Sequence, residues 1–156
     1  MLKSKILLVL LLVGLSISLW WLSRPVEIGA IHRDGYKGYA TILVRNFPLT
    51  DKGAISWWNE NKNRFKEKYD IPSYDEEGHY DLVFLKWDGV YRTLPDTDQG
   101  SDLRCFDDMA TTENCIKKDG IVFSISKFDG GKIMYRTRNS NTYIQLKEQS
   151  EIKRVN

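Results

Sequence analysis

Hydrophobic residues form one long run near the N-terminus and shorter, patterned runs elsewhere. The long run begins at Ile6, ends at Leu22 and contains no charged residue. As a helix it would be about 25 Å long, which is the short end of a membrane span. Pro25 follows and predicts the end of this helix. We therefore expect a transmembrane segment within residues 1–24 and a separate domain in residues 25–156.

The charges beside this run predict its orientation. Lys3 and Lys5 precede it, and Arg24 alone follows it closely. An excess of Lys and Arg marks the cytoplasmic side, so the N-terminus is expected in the cytoplasm and residues 25–156 outside it. A cleaved signal peptide is the alternative. It would need small residues at a cleavage site, and the weak candidates, Ser16 and Ser18, lie inside the apolar run before two tryptophans.

Beyond Pro25 the pattern predicts an α+β domain. Strands are expected at 26–31 and 39–45 as a hairpin, at 80–87 as a central strand with two apolar faces, and at 90–94. A meander is expected over 121–128, 133–137 and 142–146. Together these runs indicate an antiparallel sheet of about six or seven strands with one main amphipathic helix packed on one face.

That helix is predicted to begin after Thr50, a favourable N-cap, and to stop at Ile71-Pro72. One apolar stripe of the helix would bury four residues, namely Ile55, Trp58, Phe65 and Tyr69. Trp57 projects away from the stripe, so it is either covered by a loop or exposed as a protein-binding anchor. Lys62 lies within the stripe, where it must extend to water or meet a carboxylate.

The spacing of the two cysteines predicts what they form. In an oxidising compartment Cys105 and Cys115 predict one local disulfide. Free buried thiols are the alternative, and a zinc site would need further ligands that two scattered histidines supply poorly.

The net charge of the chain is small. The formal charge is +2, but Lys3, Lys5 and Arg24 flank the apolar run, and the rest of the chain has 20 Lys and Arg and 21 Asp and Glu. That balance argues against a nucleic-acid partner.

Candidate catalytic groups are few. His32 and His79 lie at strand edges without a nucleophile in recognisable spacing, and both are expected to be ordinary surface or turn histidines. An unrecognised hydrolase using Asp107, Asp108 and His79 is the alternative. Residues 96–102 loosely match a calcium loop, but the glycine falls at the wrong position and no helices flank it, so a solvated acidic loop is expected. We expect no metal and no cofactor.

Three stretches of the sequence point to a known family: RPVEI, VRNFPLTDKGAISWWNENKNRFKEKYDIP and RCFDDMATTENCIKKDG. They resemble the enterobacterial membrane proteins grouped as domain of unknown function 943, over the chain from Arg24 to about Asp119. The resemblance implies a single-pass inner-membrane protein of enteric bacteria, and it brings no activity, cofactor or catalytic residue. Its most distinctive positions here are Phe47, Pro48, Leu49, Thr50, Asp51, Trp57, Trp58, Tyr69, Pro72, Cys105, Phe106, Asp107, Asp108, Met109 and Cys115.

These observations favour a non-catalytic periplasmic module that is tethered to the inner membrane and binds another envelope protein or an incoming protein. A neutraliser of a toxin that acts in the periplasm, an immunity-type role, is one specific form. The candidate contact residues are Trp57, Lys62, Asp107 and Asp108. A further alternative is that the span itself, from Ile6 to Leu22, has transmembrane partners.

Overall fold

The computed structural model describes residues 1–156, apart from the side chains of Gln99 and Ser101. The helices are α1 (Leu2–Leu22) and α2 (Asp51–Tyr69). The strands are β1 (Glu27–His32), β2 (Tyr39–Arg45), β3 (Tyr80–Lys86), β4 (Arg92–Thr93), β5 (Leu103–Cys105), β6 (Glu113–Lys117), β7 (Ile121–Lys127), β8 (Ile133–Thr137), β9 (Thr142–Gln145) and β10 (Ile152–Arg154). Short 3₁₀ turns lie at Asp98–Asp102 and Asp129–Gly131.

The N-terminal apolar run forms α1, and every residue of it is exposed in the isolated chain. By length and composition this helix can cross a membrane, with a mean hydropathy of 2.2. It begins at Leu2, before the predicted apolar run, because Lys3 and Lys5 are good helix formers and extend it. The predicted N-terminal apolar helix is confirmed.

Seven strands form the main sheet, in the order β1-β2-β3-β7-β8-β9-β10. The predicted hairpin of β1 and β2 and the meander of β7, β8 and β9 are confirmed. Because α2 connects β2 to β3 as a crossover, these two strands are parallel, whereas the other neighbours are antiparallel. The sheet is therefore mostly antiparallel, with one parallel pair inside it.

Helix α2 covers one face of the main sheet. Thr50 caps its first turn as predicted, since its Oγ1 accepts a hydrogen bond of 3.0 Å from the Gly53 N–H. Trp58 and Phe65 are buried beneath the helix against Phe84 of β3. Successive residues of a strand face opposite sides, so Phe84 shares this core with Leu82 and Tyr80 of β3. The predicted packing of one helix on one sheet face is confirmed.

A second sheet of three strands, in the order β4-β6-β5, covers part of the other face. Its core joins Phe106 and Ile116 to Leu43 of β2, which faces away from α2. The predicted strand at 90–94 is shorter than expected: β4 contains two residues, Arg92–Thr93, and pairs with β6. No strand was predicted in the disulfide segment, but it supplies β5 and β6 because it folds back as a hairpin closed by its own cysteines.

Candidate functional site

The two cysteines lie directly opposite one another on β5 and β6. They are joined by a disulfide of 2.05 Å between Cys105 and Cys115 Sγ, which confirms the predicted pairing. The bond closes the hairpin that carries Phe106, Asp107 and Asp108. It therefore fixes the position of two of the candidate contact residues.

His32 is the centre of a polar and aromatic cluster at the end of β1. Its Nδ1 lies 2.8 Å from Asp108 Oδ1 and its Nε2 lies 2.8 Å from the Tyr91 hydroxyl. Its ring stacks on Phe106 with 3.8 Å between centroids, and the Arg33 N–H donates to Asp108 Oδ2 at 2.9 Å. His32 is only 4% exposed. The expectation of a surface or turn histidine is wrong for His32, because the disulfide hairpin folds over it.

The hydrogen bonds and pKa shifts of this cluster favour a structural role, in which it joins the two sheets. Burial acts to raise the pKa of Asp108, but the hydrogen bonds from Arg33 N–H and His32 outweigh it, so the pKa is lowered. Burial, helped by the charge of Asp108, raises the pKa of Tyr91. The Tyr91 phenol therefore stays protonated at neutral pH and is hydrogen-bonded to His32 Nε2. The resulting row of Asp108, His32 and Tyr91 links the main sheet to the small sheet.

His79 lies in a separate acidic environment just before β3. Its Nε2 is 2.8 Å from Asp129 Oδ1, and its Nδ1 is 3.5 Å from Asp75 Oδ2 and 3.4 Å from Glu77 Oε2. The hydrogen bond to Asp129 is the main cause that raises the pKa of His79; the charges of Asp75 and Glu77 add to it against the effect of burial. As predicted, this histidine belongs to a turn.

The sequence-based hydrolase site of Asp107, Asp108 and His79 is not assembled in the structure. Asp108 is bonded to His32 at the end of β1. The pairing of β1, β2 and β3 puts His32 level with Val83. Because His79 precedes Val83 by four positions, it lies about 13 Å further along the sheet.

The described residues offer weak grounds for a metal site. Ligand atoms of Glu77, His79 and Asp129 lie within 4.8 Å of one another. The carboxylate side chains of Glu77 and Asp129 are 78% and 96% exposed, and such groups are common on surfaces without an ion. In the loosely calcium-like segment 96–102, the side chain of Ser101 lies outside the described residues, and the backbone forms a short 3₁₀ turn. We assign no metal to either group.

Trp57 and Lys62 lie at two edges of the helix-covered core. Trp57 packs edge-on against Phe47, 5.1 Å between centroids, and is half-buried. The expectation that Trp57 projects away from the apolar stripe is wrong: the indole also packs edge-on against Phe65 of α2 and Phe84 of β3. Of the two alternatives, the structure therefore has the covered one. Lys62 lines a cavity of about 190 Å³ that it shares with Glu148. Among the described residues it has no hydrogen-bond or ion-pair partner.

The four candidate contact residues do not share one surface. Trp57 belongs to the core between α2 and the main sheet. Asp107 and Asp108 follow Phe106, which belongs to the core on the opposite face. A partner that contacted Trp57 and Lys62 would therefore approach a different side of the domain from one that contacted Asp107 and Asp108.

Sequence reasoning missed an apolar groove between the two sheets. The groove has a volume of about 320 Å³ and is lined by Tyr39, Val83, Leu85, Arg104, Lys117, Lys118, Asp119, Gly120 and Ile121. Its floor is apolar and includes Ile121, which is 54% exposed. Arg104 of β5 and Lys117 of β6 border the groove, and the small sheet leaves Val83 and Leu85 of β3 partly exposed beside them. The signal was present in the sequence as the two apolar faces of β3, because α2 covers only one of them.

Comparison with known proteins gives a family but no relative of known activity. The family model described as "Enterobacterial putative membrane protein (DUF943)" matches residues 1–156. No curated protein and no solved structure matches the chain. The family match agrees with the apolar helix α1, and it covers both the helix and the α+β domain. The chain therefore belongs to the DUF943 family of enterobacterial membrane proteins.

Proposed function

We propose that residues 25–156 form a non-catalytic module that binds a protein partner in the periplasm while α1 tethers it to the inner membrane. The groove between the two sheets is the observation that carries this proposal. Its occupant is a segment of an envelope protein or an incoming protein that bears apolar and acidic side chains. An immunity-type neutraliser of a periplasmic toxin is one form of such a module.

The chemistry of the groove supports this occupant. Val83, Leu85 and Ile121 offer an apolar floor that the domain itself leaves uncovered. Arg104 and Lys117 stand at the rim with the carboxylate of Asp119. Because Arg104 is already paired with Asp34, 3.5 Å away, Lys117 supplies most of the positive charge open to a partner. Apolar contact supplies affinity, and the basic rim would attract an acidic segment and set its orientation.

The compartment and orientation are part of the proposal. Lys3 and Lys5 in the first turns of α1, before its apolar run, against Arg24 alone directly after the helix, favour a cytoplasmic N-terminus. The disulfide of Cys105 and Cys115 supports an oxidising compartment for the domain, such as the periplasm. The two observations are independent of each other, since one depends on the flanking charges and the other on the fold of the hairpin.

A photo-crosslinking experiment in cells tests the groove. A photoreactive residue at Ile121 should form a discrete adduct with one protein, and the same residue at Leu146, also exposed, should not. Lys117→Glu should reduce the Ile121 adduct several-fold. Lys153→Glu, which changes another exposed lysine, on the far edge strand β10, should leave the Ile121 adduct unchanged.

The chemistry of the crosslinked partner is the second part of the test. Its crosslinked peptide should contain acidic and apolar residues, and its purified complex should weaken with rising salt because the rim charges are solvent-exposed. Adducts that form equally at both probe positions, or an Ile121 adduct insensitive to Lys117→Glu, would refute the groove as the binding site.

A periplasmic hydrolase is the second candidate, and the 2.8 Å contact between Asp108 and His32 is the observation that favours it. The catalytic pair would then be Asp108 and His32, and not the group of Asp107, Asp108 and His79 that the sequence suggested. Turnover of ester or amide substrates that disappears in Asp108→Asn and persists in Asp107→Asn would support it. The burial of His32 and its bond to Tyr91 favour the binding proposal instead.

A further inference from the structure

The connection between α1 and the domain, residues 23–25, is short, and we call it the tether. Helix α1 ends at Leu22, and Val26 already packs against the core of the domain. Four residue steps of extended chain reach at most about 14 Å. The end of the sheet where β1 begins must therefore lie within that distance of the end of α1.

The strand directions identify what else lies at this end. Arg45, at the end of β2, pairs with Glu27, at the start of β1. The parallel strand β3 ends beside it, with Lys86 paired to Val44. The connections that leave β2 and β3, residues 46–50 and 87–91, therefore begin next to the tether. Gly89 lies against the Arg45 guanidinium at this end, and Tyr91 then reaches along β1 to His32. Asn46 lies within hydrogen-bonding distance of the tether, with its Nδ2 3.4 Å from the Pro25 carbonyl oxygen.

Each of these two connections exposes an aliphatic side chain. Leu49 is 61% exposed and Val90 is 50% exposed, and neither lines the groove between the sheets. We call Leu49 and Val90, with their connections, the tether-side rim. An exposed aliphatic residue is ordinary on a protein surface, but here two of them lie at the end of the domain that the chain holds close to α1.

We propose that the tether-side rim rests on the surface of the membrane that α1 crosses, with Leu49 and Val90 in contact with phospholipid. The occupant is the bilayer because the tether is too short to leave room for a protein domain between the rim and the end of α1. Arg45 is paired with Glu27, at 4.0 Å, and Asp88 lies beside Val90. The contact is therefore apolar at Leu49 and Val90, with positive charge from the exposed Arg24 and Lys86 at the same end, and it requires α1 in a membrane but no particular protein partner.

Crosslinking of the full-length chain to lipid tests this contact. The chain is reconstituted into vesicles of phosphatidylethanolamine and phosphatidylglycerol, with a photoreactive residue at position 49 or 90. Matched controls carry it at Phe128 or Leu146, which are 42% and 68% exposed and lie at the opposite end of the main sheet. A probe at Trp20 within α1 verifies insertion.

Phospholipid adducts at positions 49 and 90 should exceed those at 128 and 146 several-fold. Equal yields at the four positions, or no adduct at 49 and 90 while Trp20 is labelled, would overturn the proposal. Mass spectrometry of the Cys105–Cys115 disulfide identifies substituted chains that fold. Hydrogen exchange of the unsubstituted chain provides a second measurement: residues 46–50 and 87–91 should exchange more slowly in vesicles than in detergent, and unchanged exchange there would also count against the contact.

Discussion

At the residue scale, Gly29 and Trp87 illustrate how one side chain restricts another position. The indole of Trp87 lies over β1 so closely that a Cβ at Gly29 would be 2.0 Å from its Cε3 and Cζ3 atoms. Among the described residues, Trp87 Nε1 is buried without a hydrogen-bond partner. Trp87 therefore contributes through packing and through its cation–π contact with Arg45, 5.3 Å from the ring centroid, and Gly29 is required because nothing larger fits beneath it.

We expect Gly29→Ala to lower the free energy of unfolding by about 1–3 kcal/mol, because the indole must move. Trp87→Phe, which removes no hydrogen bond, should itself cost little more than its lost packing, and it should relieve part of the Gly29→Ala effect by making room. Urea unfolding of the four proteins of this double-mutant cycle measures the coupling. Simple additivity of the two substitutions would contradict the proposed contact.

His79 should titrate above the ordinary histidine value of 6.5, mainly because of its hydrogen bond to Asp129. Since the pKa is raised in the folded state, any stabilisation is fully present below pH 6.5 and is lost as pH rises through the folded-state pKa. NMR titration of the His79 ring should show this raised midpoint. Asp129→Asn should move it down, and Asp96→Asn, a change in an exposed loop carboxylate, should not.

At the scale of elements, the start of α2 is tied to the turn between β8 and β9. Asp51 Oδ1 accepts from Asn139 Nδ2 at 2.8 Å, and Oδ2 accepts from Asn141 Nδ2 at 2.6 Å and from the Tyr143 hydroxyl at 2.9 Å. Burial acts to raise the pKa of Asp51, but the hydrogen bonds from Asn141 and Asn139 outweigh it and lower the pKa to about 2. The charge also lies at the positive end of the helix.

Asp51→Asn should therefore destabilise the domain by about 1–3 kcal/mol at neutral pH, where the charged carboxylate makes these hydrogen bonds. Because the pKa is lowered on folding, this stabilisation is present above the ordinary value of 3.8 and is lost as pH falls toward about 2. Urea unfolding at neutral and at low pH should show the difference between the two proteins shrinking on acidification. A pH-independent difference would indicate lost packing in place of a lost charge.

The elements themselves show which parts of the fold are encoded locally. Thr50 and Ile71-Pro72 mark the limits of α2 because capping and proline chemistry act over a few residues. The strands β7, β8 and β9 were predictable for the same reason, since each hairpin depends on its own turn. The parallel pairing of β2 with β3 was less accessible, because it depends on how the crossover through α2 returns to the sheet.

The candidate site was less predictable than the fold because it depends on contacts distant in sequence. His32 precedes Asp108 by 76 positions, and only the closed disulfide hairpin brings the two together. The groove likewise combines residues of β2, β3, β5, β6 and β7. The placement of β5 and β6 over the second face of the sheet determines both features, and no short pattern in the sequence specifies it.

At the scale of the whole molecule, the binding proposal separates the anchor from the domain. If the groove binds the partner, an unrelated apolar helix in place of residues 6–22 should leave the Ile121 adduct intact. The physical reason is that no residue of α1 lines the groove. Loss of the adduct, with the hybrid protein still inserted in the membrane, would instead show that the span contributes to partner recognition.

The proposed orientation of the chain makes a separate prediction, because it depends on the charges at the two ends of α1. The α-amino group, Lys3 and Lys5 lie at the N-terminal end of α1, before its apolar run, and Arg24 alone lies directly after the helix. Positive charge is retained in the cytoplasm, so alkaline phosphatase fused after Asn156 should be active. Replacing Lys3 and Lys5 by glutamine, with added lysines after Leu22, should lower this activity and leave the Cys105–Cys115 pair reduced. An inactive fusion to the native sequence would reverse the assigned orientation and remove the domain from the compartment that the binding proposal requires.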